Sequence, residues 1–261
     1  MCIRDRNIIT NRPLLAVILA NFFNSFKSVG GSSESYFWLN NTGSLLNQTI
    51  CGLFTGIPNY IMVPIAAKMV KKWGARATSI IAGLFGFFAY MTLFFVGFHP
   101  FGQTFKDHYI FNLIWVIFGL TICGLPNKIL NVSGQIVTAE ALDYMEWKHG
   151  LRNEALVTTV QGYFGKLATS VTGWLSGMVL TWINYVPLTD SLGNAVPQTD
   201  PTMLNGIWAV FCILPALARG LYGVSFIIYP IHGDLQQQMI IELAEKRAQR
   251  LAEQEAKDHQ A

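Results

Sequence analysis

Residues 49–98 read TICGLFTGIPNYIMVPIAAKMVKKWGARATSIIAGLFGFFAYMTLFFVGF. Two apolar runs, Thr49–Val70 and Thr78–Phe98, meet at a basic turn that holds Lys68, Lys71, Lys72 and Arg76. Each run is about 20 residues long, which a helix needs to cross ~30 Å of hydrocarbon. A backbone in lipid must satisfy its own hydrogen bonds, and the ~10-residue alternation of a membrane barrel is missing, so both runs read as helices.

Working outward, the same pattern recurs at Arg12–Val29, Tyr109–Leu130, Ala155–Tyr185 and Leu204–Tyr229. The fifth span in chain order, Ala155–Tyr185, is over-long and includes a helical lead-in or tilts. Composition agrees: 52% of residues are hydrophobic and 13% charged, against about 25% charged in soluble domains. The net charge of +3 is small and dispersed, which gives nucleic-acid binding no support. Cys2, Cys51, Cys123 and Cys212 are too far apart to suggest a metal site or a disulfide framework. The expected fold is an all-α membrane protein with six transmembrane helices.

Basic residues orient it. They collect in Lys68–Arg76, in the loop with Lys148 and Arg152, and in the tail with Lys246, Arg247, Arg250 and Lys257, whereas Gly30–Gln48 and Val186–Met203 carry none. The positive-inside rule then makes both termini cytoplasmic. The division expected is a six-helix bundle over 7–232 and a solvated cytoplasmic helical tail over 233–261, where Glu242 and Lys246 stand at helix-pair spacing. The opening MCIRDR, residues 1–6, reads as a non-native sequencing scar. A signal peptide built on Arg4, Arg6, Arg12 and the apolar run from Pro13 is the rival reading.

The chemistry sits in Ala139–Lys166, AEALDYMEWKHGLRNEALVTTVQGYFGK. Glu140, Asp143, Glu146, Lys148, Arg152 and Glu154 crowd between two spans. Acids and bases spaced along a cytoplasmic helix entry suit a gate, because partly solvated ion pairs are worth only ~0–1 kcal/mol each. A purely solvated loop is the alternative. Lys166 then appears inside an apolar span, where a charge costs at least ~2.5–3.5 kcal/mol. It shares a helical face with Thr159, Gly162 and Ser170, and Gln161 neighbours that face. Snorkelling is the bland account of Lys166, but the residue lies roughly 18 Å of helix beyond Glu154.

Two more polar stripes resemble this one. Lys128, Asn131 and Gln135 follow Pro126, a residue able to unwind a turn. Lys128 reads equally as a cavity residue or as an anchor at the helix end. Asn21, Asn24 and Lys27 form the third stripe, with Lys27 also able to snorkel outward. Arg219 has no evident partner. Every Asp and Glu falls outside the span cores, so either the protein does not couple to a cation or the cation-binding carboxylates come from elsewhere. No nucleophile elbow, phosphate loop or HExxH motif occurs, so neither an enzyme nor a bound cofactor is expected.

Glu140-Ala-Leu-Asp143-Tyr144-Met145-Glu146-Trp147-Lys148, with Arg152, Gln161 and Lys166, resembles the signature of the glycoside–pentoside–hexuronide:cation symporters, the melibiose permease family of the major facilitator superfamily. The family pattern is close to D-x-x-D-Y-G-E-x-K-x-x-x-R. Here Glu140 replaces the first aspartate and Met145 the glycine. The resemblance runs from about Ile8 to Arg250 and implies the C-terminal bundle, helices seven to twelve, of a twelve-helix transporter in the cell's inner (plasma) membrane. It implies sugar import coupled to Na⁺ or H⁺, with a missing N-terminal six-helix half supplying the cation-site carboxylates. It also implies a sugar and cation cavity at Lys166, Gln161, Thr159, Lys128, Asn131 and Asn24, and a cytoplasmic gate at Glu140, Asp143, Glu146 and Arg152. A major facilitator carrier of a lipid or organic anion remains a second reading, and a non-transporting membrane scaffold or enzyme a third.

Overall fold

The computed structural model describes residues 11–150, 152–186, 188–189, 191, 195–197 and 200–258; the stretch 1–6 and His259 lie outside them. Its elements are α1 (Arg12–Ser25), α2 (Lys27–Thr42), α3 (Leu46–Val96), α4 (Tyr109–His149), α5 (Glu154–Trp182), β1 (Leu188–Thr189), β2 (Ala195–Val196), α6 (Pro201–Ser225) and α7 (Asp234–Asp258). The protein is an all-α membrane bundle, with one two-residue β-hairpin in the α5–α6 connection.

Four helical stretches are long and apolar enough to cross a membrane: Arg12–Thr42, Leu46–Val96, Tyr109–His149 and Pro201–Ser225. The second is two spans. Gly74 interrupts it at φ 82° and ψ 161°, a conformation that favours glycine. The halves then run back along one another: Cys51 shares a cluster with Leu93, and Ala66 and Val70 share one with Ala75 and Ala82. Helix α5 supplies the sixth segment; it is rich in Gly, Ser and Thr and is not among the four stretches above.

Local signals explain the boundaries. Asn11 caps α1 by accepting from the Leu14 N–H at 3.1 Å, and Pro13 fits the first turn. Asn153 caps α5 in the same way, through the Leu156 N–H. Gly43 and Gly150 close α2 and α4 in the left-handed conformation. Arg76 in the basic turn does more than anchor: Nε and a terminal nitrogen donate to the Phe226 and Ile227 carbonyls at 3.1 and 2.8 Å, past the end of α6.

Three sequence expectations change. Residues 30–42, read as an outer loop, continue helically as α2, which carries Glu34 into the first membrane-crossing stretch. The acids are therefore not confined to the span ends. Pro126 does not unwind its helix; α4 runs through it. The tail helix does not stand free, because Met239 and Leu243 are buried in the core cluster that holds Phe226 and Tyr229.

Helix α6 packs against α1, α2 and α3, and α4 lies along α3. Lipid offers helices little hydrophobic drive to associate, so small residues and polar contacts hold the interfaces. Ser79 and Ser133 share a buried 2.9 Å hydrogen bond between α3 and α4. A Cβ on Gly83 would sit 2.7 Å from the Gly223 Cα and 2.8 Å from the Arg219 carbonyl. At the far end of the bundle Phe37, Phe98, Phe105, Trp208 and Phe211 form an aromatic cluster.

Gly83→Ala should cost about 1–3 kcal/mol by overpacking and lower the melting temperature in detergent. Gly52→Ala, where a Cβ meets nothing within 4 Å, should leave it unchanged.

Candidate functional site

Two polar regions stand out, a cavity between helices and a charged network where α4 ends. The cavity encloses about 480 Å³, within the ~300–1,000 Å³ range of small-molecule sites. Helix α1 contributes Asn21 and Asn24, α4 contributes Asn131, Gln135 and Thr138, α5 contributes Gln161, and α6 contributes Tyr222. The α1 and α4 residues recur at helical spacing, so each helix turns one polar edge inward. Carboxamides both donate and accept hydrogen bonds, which suits a ligand dense in hydroxyls. The Gln161 Nε2 is buried with no hydrogen-bond partner among the described residues.

Of the six residues expected in the cavity, Asn24, Asn131 and Gln161 meet there. The other three lie outside its lining. Thr159 is exposed and donates to the Ala155 carbonyl at 2.7 Å. Lys128 holds its ammonium 4.6 Å from the Tyr60 ring centre, a cation–π contact. Lys166 is exposed on α5, on a face that none of the described residues covers. Thr138 went unnoticed in the sequence, although it extends the Asn131 stripe by two turns. Tyr222 carried no such signal; its hydroxyl donates to the Leu130 carbonyl at 3.4 Å.

Arg219 gains a partner. The guanidinium is 1% exposed, and one terminal nitrogen donates to Asn24 Oδ1 at 2.6 Å. Lys27 is half-buried and close enough to Arg219 for the two charges to repel, which is an inward placement rather than a snorkel. Glu34 accepts from the Trp38 indole at 3.4 Å.

The charged network gathers three of the four residues grouped as a gate. Arg152 reaches Asp143 at 3.0 Å and Glu146 at 3.8 Å, and it bonds Glu154 at 2.8 Å. Glu140 stands apart, accepting from the Tyr229 hydroxyl at 2.9 Å and from Gln236 at 2.7 Å. The tail helix supplies the residues that sequence reading missed. Arg247 pairs with Asp143 and Glu146, and Arg250 with Glu146 at 3.4 Å. Glu146 thus faces three arginines with only 7% of its side chain exposed. Its hydrogen bond to Arg247, and then that of Asp143, push the Arg247 pKa up and keep the guanidinium charged. Trp147 donates to Glu242 at 2.6 Å, adding a further tie between α4 and α7. The three-residue spacing of Arg247 and Arg250 puts both on one face of α7 and was visible in the sequence; its target was not. Met145, at the position where a glycine is usual, is 3% exposed and fills a small core with Leu14, Ile18, Ala141 and Val157.

Residues 5–233 match the family described as MFS/sugar transport protein. The chain is 29% identical over 245 residues to YjmB of Bacillus subtilis (strain 168), an uncharacterised symporter, covering 92% of this chain and 48% of that protein. It is 28% identical over 120 residues to an isoprimeverose transporter of Lactiplantibacillus pentosus, covering 45% and 23%. It is 22% identical over 247 residues to a glucuronide carrier protein homolog of Escherichia coli (strain K12), covering 91% and 48%. The chain therefore spans about half the length, or less, of these relatives.

Glu146→Gln removes the charge shared by Arg152, Arg247 and Arg250. These arginines are part-solvated, so the loss should be about 1–2 kcal/mol, read as roughly 5- to 30-fold faster hydrogen exchange in α7. Glu245→Gln, at an exposed position of the same helix, should leave exchange unchanged.

Proposed function

The chain belongs to the MFS/sugar transport protein family, as a member of its glycoside–pentoside–hexuronide group, and on that footing we propose that it is the C-terminal half, helices seven to twelve, of a sugar importer. It is a multi-pass membrane protein of a transporter family rather than an enzyme. The polar cavity carries the functional reading. Amides and hydroxyls from four helices converge on a space of sugar-binding size inside a protein otherwise solvated by lipid.

In this reading a complementary N-terminal half faces the cavity and the open side of α5. That half covers Lys166 and brings carboxylates to the coupling Na⁺ or H⁺. The two halves rock about the cavity, so that sugar and cation enter from one side and leave on the other. Gln161, Asn24 and Asn131 bond the sugar hydroxyls. Lys166 and Thr159 line the facing wall once the halves meet, with Lys128 at its edge. Glu140, Asp143, Glu146 and Arg152 close the cytoplasmic side, and α7 latches onto that closure. Both termini of the chain are cytoplasmic in the cell's inner membrane. The names of the relatives support a sugar-class cargo: one is a transporter of isoprimeverose and another a homolog of a glucuronide carrier.

In the full-length transporter, Gln161→Leu should raise the KM for sugar about tenfold, the loss expected from one unmatched buried hydrogen bond. Lys166→Ala should abolish accumulation with expression intact. Radiolabelled uptake by whole cells, normalised to membrane protein level, reads both. Unchanged accumulation in Lys166→Ala would remove that residue from the site.

A further inference from the structure

A guanidinium has only donors, so a partner it holds must turn an acceptor toward it. Arg219 bonds Asn24 through Oδ1 at 2.6 Å, which fixes the amide with its oxygen toward α6. The Asn24 NH₂ then belongs to the cavity that the residue lines, and it makes no hydrogen bond among the described residues. Gln161, which also lines the cavity, likewise leaves its Nε2 without a partner among the described residues.

The charge behind Asn24 is equally one-sided. Arg219 is 1% exposed and its Nε has no hydrogen-bond partner among the described residues. It forms no ion pair among the described residues, and the nearby Lys27 is also a cation. Glu34, the one acid on the first membrane-crossing stretch, bonds Trp38 and does not line the cavity. A buried cation with no counter-charge among the described residues is costly, and a ligand anion in the cavity would offset that cost.

We infer that Arg219 is a positioning residue that makes the cavity select sugars bearing an anionic group, by turning the Asn24 amide into a fixed donor and by setting an uncompensated positive charge behind it. The recognised chemistry is a carboxylate or sulfonate on the sugar, bonded by the Asn24 and Gln161 amide hydrogens. The inference rests on the sugar-transport reading above and adds the class of sugar. Gly86 is part of the arrangement: a Cβ there would lie 3.1 Å from the Arg219 Cγ, so the glycine leaves room for the buried side chain.

The test uses the full-length transporter in membrane vesicles and three methyl β-glucoside probes: the neutral sugar, its 6-carboxylate and its 6-sulfonate. The wild type should favour one or both anions over the neutral probe by at least about tenfold in kcat/KM, and whichever anion wins identifies the group. Asn24→Asp keeps an acceptor for Arg219 but removes the cavity donors. It should raise the KM for the favoured anion at least about tenfold more than it raises the KM for the neutral sugar. Arg219→Gln should do the same and Arg219→Lys should recover part of the preference; if Arg219→Gln fails to fold, Asn24→Asp still decides. Neutral-sugar transport with no anion preference, or equal losses for neutral and anionic probes in Asn24→Asp, would overturn the inference and leave the sugar-transport reading standing. A wild type that moves none of the three would overturn both.

Discussion

Gly83 and Gly223 bring the backbones of α3 and α6 into contact, and the cavity depends on that contact. In lipid, close approach of this kind does the work that hydrophobic burial does in water. It sets α6 deep in the bundle, where Gly30 of α2 meets Pro215 and Phe211 and where Gly86 admits the stem of Arg219. Arg219 and Tyr222, three residues apart on α6, then face α1 and α4. One reaches Asn24 and the other the Leu130 carbonyl. The polar wall is thus a consequence of where four glycines let helices touch.

Much of the fold was legible because membrane spans announce themselves by length and hydropathy. The basic turn at Lys71–Arg76 divides two spans, and Gly74 within it adopts the one conformation that breaks the long helix. The periodic stripes of α1 and α4 were visible as well. Their meeting with Gln161 was not, since spacing along a helix gives a face and not its target. Residues 30–42 were misread because Gly, Ser and Asn are weak helix formers. Packing of Gly30 under Pro215, and of Phe37 and Trp38 into the aromatic cluster, overrides that propensity. Arg219 looked solitary because its partner lies 195 positions away.

The charged end follows the same logic. Its sequence motif drew attention to Glu140, Asp143, Glu146 and Arg152, all within one short stretch. The tail helix joins them through arginines some hundred residues further on. Glu146 is the hub of this network, and the carboxylate is shielded while its arginine partners remain part-solvated. Such contacts are cheap to exchange. Contacts of this kind tie α7 to the end of α4.

The central claim is that the cavity between α1, α4, α5 and α6 is where sugar binds. Substrate protection tests it most directly. A single cysteine at Gln135, in an otherwise cysteine-free full-length transporter, is alkylated with and without methyl glucoside, methyl xyloside or methyl glucuronide. The account predicts that at least one of the three sugars slows labelling at Gln135, while a cysteine at the exposed, apolar Leu53 labels at the same rate throughout. Labelling at Gln135 that none of the sugars alters would contradict it.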